Sequence, residues 1–345
     1  MLSRSRKSAP GLGPLGPGRL VKPSAMMALL AATALAIGCK PRFQPIISIE
    51  TSYLQFPVVL TLADDPERRN AAAALAIAEI GRLEGQFDPL NPAGSLYQLN
   101  QQGQLSDPEL YPILERATWI SELTGGGLNI FMGYLEQAYG FDKQFPRPPD
   151  ANALRELMLA LRRASLELLP ERREVRMPND AYAISLGAIL TGYVADQTLS
   201  HLVLAGVPTA RVQVGTNVAY GGSADGIAWT HPVMHPATGQ VVEHFYVEYS
   251  CVATASSIDQ AYTFRDEVYY NHIDPATGLP AKTMSAVVVL APTCELAGGL
   301  AQGVFCMEPE SGLRVLNSLP EVEGLLLLPD GSTLATDSLA VWRAG

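Results

Sequence analysis

An α+β fold, built of mixed or antiparallel sheets with packed helices, is what this sequence predicts, and three observations predict it. Long alternating runs such as A-R-V-Q-V-G-T-N-V-A-Y at 210–220 give an extended chain one apolar and one polar face. Apolar-periodic helical stretches are interspersed with these runs irregularly, not in the strict strand–helix alternation of a doubly wound sheet. With 345 residues, 48% hydrophobic and 17% charged, the chain buries a sizeable core in one large domain or two intimately packed ones.

Residues 1–38 read as a targeting segment. A basic leader (Arg4, Arg6, Lys7, Arg19, Lys22) precedes an apolar run at 26–37, too short for a stable bilayer span, and then Gly38-Cys39. The pattern resembles a bacterial lipoprotein signal, in which Cys39 becomes the lipid-bearing first residue; a plain secretory signal with an incidental Cys is the alternative. The mature chain, 39–345, is then exported, lipid-anchored to a bacterial membrane and facing the periplasm or the cell exterior. Removing the five leader cations from 24 Lys and Arg leaves 19 against 34 acids, a mature charge of −15. Such a surface repels phosphate backbones, so nucleic acid is excluded as a partner.

Residues 46–62 are rich in β-branched and aromatic types and read as one or two strands, with Pro57 at an edge or a break. Asp64-Asp65-Pro66-Glu67 supplies an N-cap, a first-turn Pro and early acids for a helix to about Arg82. A turn-rich loop at 87–100 leads to a second amphipathic helix at 107–123. Gly125, Gly126 and Gly127 interrupt, and a helical pattern resumes at 128–139. Such glycines either let backbone approach a ligand or close the preceding helix. The Pro-rich stretch 144–152 marks an insertion or a seam before a helix at 152–164. Short strands at 174–184 precede a long helix from Ser185 to Ala205, stopped by Gly206 and Pro208. Strands follow at 210–220, broken at Gly215, then between 228 and 253, at 267–273 and at 285–290. Helices at 295–307 and near 311–316 and a strand at 324–328 complete the pattern.

Cys251, Cys294 and Cys306 show no paired zinc spacing. They allow at most one disulfide, its pair left open, and each is expected to pack as a small buried hydrophobe. His231 and His235 are kept off a common helix by Pro232 and Pro236, against a metal pair there.

Four segments carry the chemistry. The glycine-rich stretch at 125–135 is followed by S-L-G-A-I-L-T-G-Y-V-A-D at 185–196 and V-Q-V-G-T-N at 212–217. The fourth, Y-Y-N-H-I-D-P-A-T-G at 269–278, runs a strand into a tight polar turn, with a helix downstream. In this order they resemble the ApbE-type FAD:protein FMN transferases over nearly the whole mature chain. Gly187, Ile189, Gly192, Tyr193 and Asp196 match D-L-G-G-I-A-K-G-Y-A-V-D, and Ile273, Asp274, Pro275, Thr277 and Gly278 match H-I-I-D-P-R-T-G. The resemblance implies transfer of FMN from FAD onto a Thr hydroxyl of a flavin-acceptor protein, releasing AMP, with Mg²⁺ neutralising the pyrophosphate. It implies cofactor-binding positions at Gly127, Leu128, Asn129, Ser185, Thr191, Ile273, Asp274 and Thr277.

Where the family keeps its charged groups, this sequence departs from it. The family's metal-binding Asp falls on Gly298 and its Thr on Gln302, leaving the Ala188 carbonyl as the nominal ligand. Ser185 stands at an Asp, Thr191 at a frequent Lys, Asn129 at another Asp, Thr216 and Asn217 at the end of G-G-D, and Asn271 at the His. Glu295, three residues before Gly298, and Gln302 offer oxygens for a rebuilt metal site. His272 is the candidate for proton transfer, unless it alternates to the strand face opposite Asn271, away from ligand. The sequence therefore points to a flavin- or partner-binding member that lost the transfer chemistry, with an active Mg-dependent transferase as the alternative.

Overall fold

The computed structural model describes residues 46–178, 182–223 and 226–343; the leader and Cys39 lie outside them. The first β-branched run folds back at Leu54 as a hairpin of β1 (Ile46–Tyr53) and β2 (Phe56–Ala63). Helix α1 (Pro66–Phe87) starts where Asp65 accepts the Glu67 amide, and it runs past Arg82 because Leu83 and Phe87 continue its buried stripe. Then come α2 (Ser95–Gln102), β3 (Gln104–Ser106) and α3 (Leu110–Leu123).

The helix expected at 128–139 is reduced to α4 (Gly133–Tyr139). Side chains take the amides that a helix would need: Thr124 Oγ1 accepts from Leu128 N at 3.1 Å and Asn129 Oδ1 from Phe131 N at 2.9 Å. Met132 instead makes a parallel bridge to Ala183. Gly125 and Gly126, both left-handed, close α3, with Gly126 N on Ser121 O at 2.8 Å.

Helix α5 (Ala151–Leu161) precedes β4 (Glu167–Leu169) and β5 (Glu174–Arg176), which with β3 form a small sheet. Helix α6 (Gly187–Leu204) begins two residues after Ser185. The alternating run 210–220 becomes the hairpin β6 (Ala210–Val214) and β7 (Asn217–Tyr220), turning at left-handed Gly215. After it come β8 (Trp229–Met234), β9 (Val241–Val247), β10 (Ser250–Ser256), β11 (Tyr262–Phe264), β12 (Glu267–Tyr269) and β13 (Ala286–Ala291). The strand expected at 267–273 thus stops at Tyr269. Helices α7 (Cys294–Phe305) and α8 (Pro309–Asn317) and strands β14 (Glu323–Leu327) and β15 (Thr333–Ala335) complete the order.

Eight strands form one antiparallel sheet in the order β1-β2-β6-β7-β10-β13-β14-β15. Both its faces are covered, which is why β13 is apolar at every position. Val287, Val289 and Ala291 join the helix-side core, whereas Ala286, Val288 and Leu290 join an outer core with Phe245 and Val247 of the β8–β9 hairpin.

Helix α7 is the element the site is built on, and its glycines explain its position. Gly298, Gly299 and Gly303 each weaken a helix by about 1 kcal/mol relative to Ala, so tertiary packing must hold it. A Cβ on Gly299 would lie 2.7 Å from Ile120 of α3 and 2.9 Å from Ile189 of α6, so the missing side chains permit close contact with both helices. At its N-terminus α7 is pinned by a disulfide from Cys294 to Cys251, Cα–Cα 5.1 Å. This corrects the expectation that each cysteine packs as a lone hydrophobe: β10 and the start of α7 bring two of the three together, and Cys306 stays free.

Candidate functional site

Predicted site residues gather around the C-terminal half of α7. Gly127 backs onto it so tightly that a Cβ would lie 2.3 Å from Gly303 O. Leu128 is buried in the core, and Asn129 is half-buried with its side-chain oxygen capping Phe131. Ala188 N donates to Gln302 Oε1 at 3.4 Å, so these two metal candidates are neighbours, through the Ala188 amide and not its carbonyl. Glu295 does not join them. It lies seven residues earlier, about 10 Å along the axis, with Oε2 3.6 Å from Arg116 Nε.

At the centre sits Asn217, fully buried on β7. Its Nδ2 donates to Thr191 Oγ1 at 2.9 Å and to Ala188 O at 3.5 Å, and Thr191 Oγ1 donates to the same carbonyl at 3.2 Å. Asn217 Oδ1 has no hydrogen-bond partner among the described residues. It points at Gly298, where a Cβ would lie 2.5 Å from it and 2.6 Å from Ala188 O.

A second cluster joins α4, Ser185 and the segment after β12. Ser185 Oγ donates to Glu136 Oε2 at 2.6 Å, while its amide binds Ile130 O at 2.8 Å. Burial pushes the Glu136 carboxyl above the usual range, with the Ser185 hydrogen bond and then nearby His272 pulling the other way. His272 is buried against Phe305, ring centroids 4.9 Å apart, with Nε2 2.9 Å from Asp259 Oδ2. Asp259 also accepts from Ser256 N and Oγ, both at 2.8 Å, and His272 Nδ1 is buried without a hydrogen-bond partner among the described residues. Asn271 instead reaches Gln260, so the two neighbours do diverge.

The 269–278 stretch folds as a self-capped turn. Asp274 Oδ1 accepts Ala276 N at 2.8 Å and Oδ2 accepts Thr277 Oγ1 at 2.9 Å, so both side chains are spent on the turn. Gly278 is left-handed, and a Cβ would strike Met158 Sδ at 2.6 Å. Ile273 is buried, and its carbonyl faces Cys306 Sγ at 3.6 Å, which ties the turn to the end of α7. The Cys306 thiol is pushed up to about 12 by burial and then by Asp274.

Residues 50–326 match the model of the ApbE family. The chain belongs to that family. The FAD:protein FMN transferase of Treponema pallidum is 30% identical over 246 residues, 65% of this chain and 67% of that protein. The Haemophilus influenzae FAD:protein FMN transferase is 24% identical over 260 residues, 71% and 75% of the two chains. The fold agrees with the crystal structure of the ApbE protein from Thermotoga maritima, at TM-score 0.79 and 20% identity over 87% of this chain and 100% of that one. It also agrees with the flavin transferase ApbE from Vibrio cholerae, at TM-score 0.74 and 20% identity over 87% and 99%.

The residues at the position where the resemblance puts the metal do not fit a resident Mg²⁺. That ion takes near-octahedral oxygens, usually including one or two carboxylates. Here the oxygens of Ala188, Thr191, Asn217 and Gln302 are all neutral, and the Ala188 carbonyl already receives an amide and a hydroxyl hydrogen. No group of three or more His, Cys, Asp or Glu suited to a metal occurs among the described residues. Sequence reasoning missed Glu136 and Asp259. Glu136 lies 49 residues from Ser185, and Asp259 lies 13 from His272, so neither pairing carries a local signal.

Proposed function

We propose that this chain is an exported, lipid-anchored member of the ApbE family that binds FAD, or the flavin of a partner protein, without metal-dependent FMN transfer. The observation that carries the reading is the Asn217–Thr191–Ala188 arrangement around Gly298. Hydrogens of an amide and a hydroxyl stand where the resemblance expects a cation, and the aspartate that would hold the cation is a glycine. Loss of one electrostatic stabiliser typically costs about 10²–10³ in rate, and loss of the cation removes charge neutralisation of the pyrophosphate altogether. The relatives' names supply the ligand class, FAD and a flavin-acceptor protein.

The test is a titration of mature protein with FAD, in magnesium and in EDTA, alongside an assay for AMP release with a Thr-containing acceptor. The expected result is saturable FAD binding that is indifferent to EDTA, with no AMP. Magnesium-dependent AMP release with covalent flavin on the acceptor would establish the alternative, an active transferase with a remodelled site. Export and anchoring are tested separately: Cys39→Ser should release the protein from the membrane fraction and abolish incorporation of labelled palmitate. An unchanged membrane-bound, unlabelled wild type would refute the anchor.

A further inference from the structure

On the sheet face away from α6 and α7, a cleft of about 260 Å³ opens between β6, β7, β10 and the covering strand β8. Its floor follows from register. Arg211 pairs with Tyr220 and Gln213 with Val218, so these four side chains share one face, and Thr254 lies on the same face of β10. His231 and Pro232 of β8 form the wall. Of the segments that carry the resemblance, 212–217 alone reaches it, through Gln213, Gly215 and Thr216, while the side chain of Asn217 lies on the other face of the sheet.

The cleft holds a guanidinium fixed in place with no ion-pair partner among the described residues. Gln213 is anchored by its Nε2 on Gly215 O at 3.1 Å, and its Oε1 accepts Arg211 Nη2 at 2.8 Å. Among the described residues Arg211 Nε is buried with no hydrogen-bond partner and Arg211 forms no ion pair. A partly desolvated cation with an unmet N–H is costly unless an anion joins it. In a chain of net charge −10, such a cation stands against the overall field.

The second group is His231, whose Nδ1 lies 2.7 Å from Tyr220 OH. With the phenol donating to Nδ1, Nε2 carries the ring proton and is free to donate into the cleft. Burial, and then the charge of Arg211, push this imidazole down to about 4, so it is a neutral donor at neutral pH. The Thr254 hydroxyl adds a third donor. We propose that this outer-face cleft is a binding site for a small oxyanion, a carboxylate or phosphate group held by the Arg211 guanidinium edge with His231 and Thr254 as flanking donors. The site is separate from the flavin site and does not rest on the function proposed above.

The experiment titrates mature, disulfide-intact protein with inorganic phosphate and, separately, with acetate, followed by calorimetry and by the His231 ring resonances. The expected result is one saturable site for at least one of the two anions, and the anion bound more tightly identifies the ligand class. Arg211→Gln should weaken that binding at least about tenfold, the usual cost of a charge-assisted hydrogen bond. His231→Asn should weaken it several-fold, and FAD affinity should stay unchanged in both variants. If Arg211→Gln does not fold, Arg211→Lys, which keeps the charge and loses the fork, should still bind several-fold more weakly. The proposal is overturned if neither anion saturates, if every folded variant titrates like wild type, or if the variants lose FAD affinity in parallel.

Discussion

Replacing Glu295 should stabilise the protein at alkaline pH and do little at acid pH. Asp196 of α6 caps α7 by accepting Cys294 N at 2.8 Å and Glu295 N at 2.9 Å. Burial nevertheless raises its pKa from 3.8 to about 6, the two amides pulling down. Glu295 is raised from 4.5 to about 7 by burial, opposed by Arg116 and reinforced by Asp196. In the unfolded chain both groups lose their protons near pH 4, whereas the native state holds them until pH 6–7. Native protein therefore binds more protons between those limits, and stability falls as pH rises through that window. Each upward shift of two units or so corresponds to about 3 kcal/mol lost by pH 8, less for the pair together because the two are coupled. Glu295→Gln removes its share and sacrifices the Arg116 pair, worth about 0–1 kcal/mol because Arg116 is half exposed. The net expectation is a variant about 2 kcal/mol more stable than wild type at pH 8, converging with it near pH 5. Urea unfolding at both pH values measures this directly. A variant no more stable than wild type at pH 8 would refute the account of a strained carboxylate pair.

Three further outcomes follow from the same packing. Gly192→Ala should destabilise by more than about 3 kcal/mol, because a Cβ would lie 2.2 Å from the backbone oxygen of Cys294; Gly81→Ala in α1, with open space around it, should instead stabilise by up to about 1 kcal/mol, and thermal unfolding of the two compares them. Reducing the Cys251–Cys294 bridge opens a loop of 43 residues and should cost about 4 kcal/mol by chain entropy, seen as a lower urea midpoint in dithiothreitol that a Cys251→Ala/Cys294→Ala variant no longer shows. Glu136→Gln should flatten the pH dependence of FAD affinity, since it removes the carboxyl that burial raises and that bonds Ser185; a pH profile identical to wild type would separate Glu136 from the proposed flavin site.

Different parts of the molecule were legible in the sequence to different depths, for physical reasons. The β6–β7 turn at Gly215 was visible because a glycine broke a period-two pattern, and β13 because a strand covered on both faces is apolar throughout. The segment 128–132 was not, since apolar spacing is silent about Thr124 and Asn129 capturing the amides a helix would use. Glu136 with Ser185, Asp259 with His272, and Cys251 with Cys294 are pairings across separations of 49, 13 and 43 residues that exist only once the sheet and α7 are in place. Gly298 shows why residue identities at a site must be read together with packing. Taken alone it is a missing ligand, and a neighbouring carboxylate such as Glu295 looks able to substitute. In the fold, the missing side chain is what lets Asn217 and Ala188 close on α7, and the space an aspartate would need is filled to within 2.5 Å of its Cβ. Introducing a carboxylate with Gly298→Asp alone should therefore unfold or distort the α6–α7 contact before it recruits magnesium. A well-folded Gly298→Asp variant that binds magnesium would show that the contact yields more easily than its distances imply.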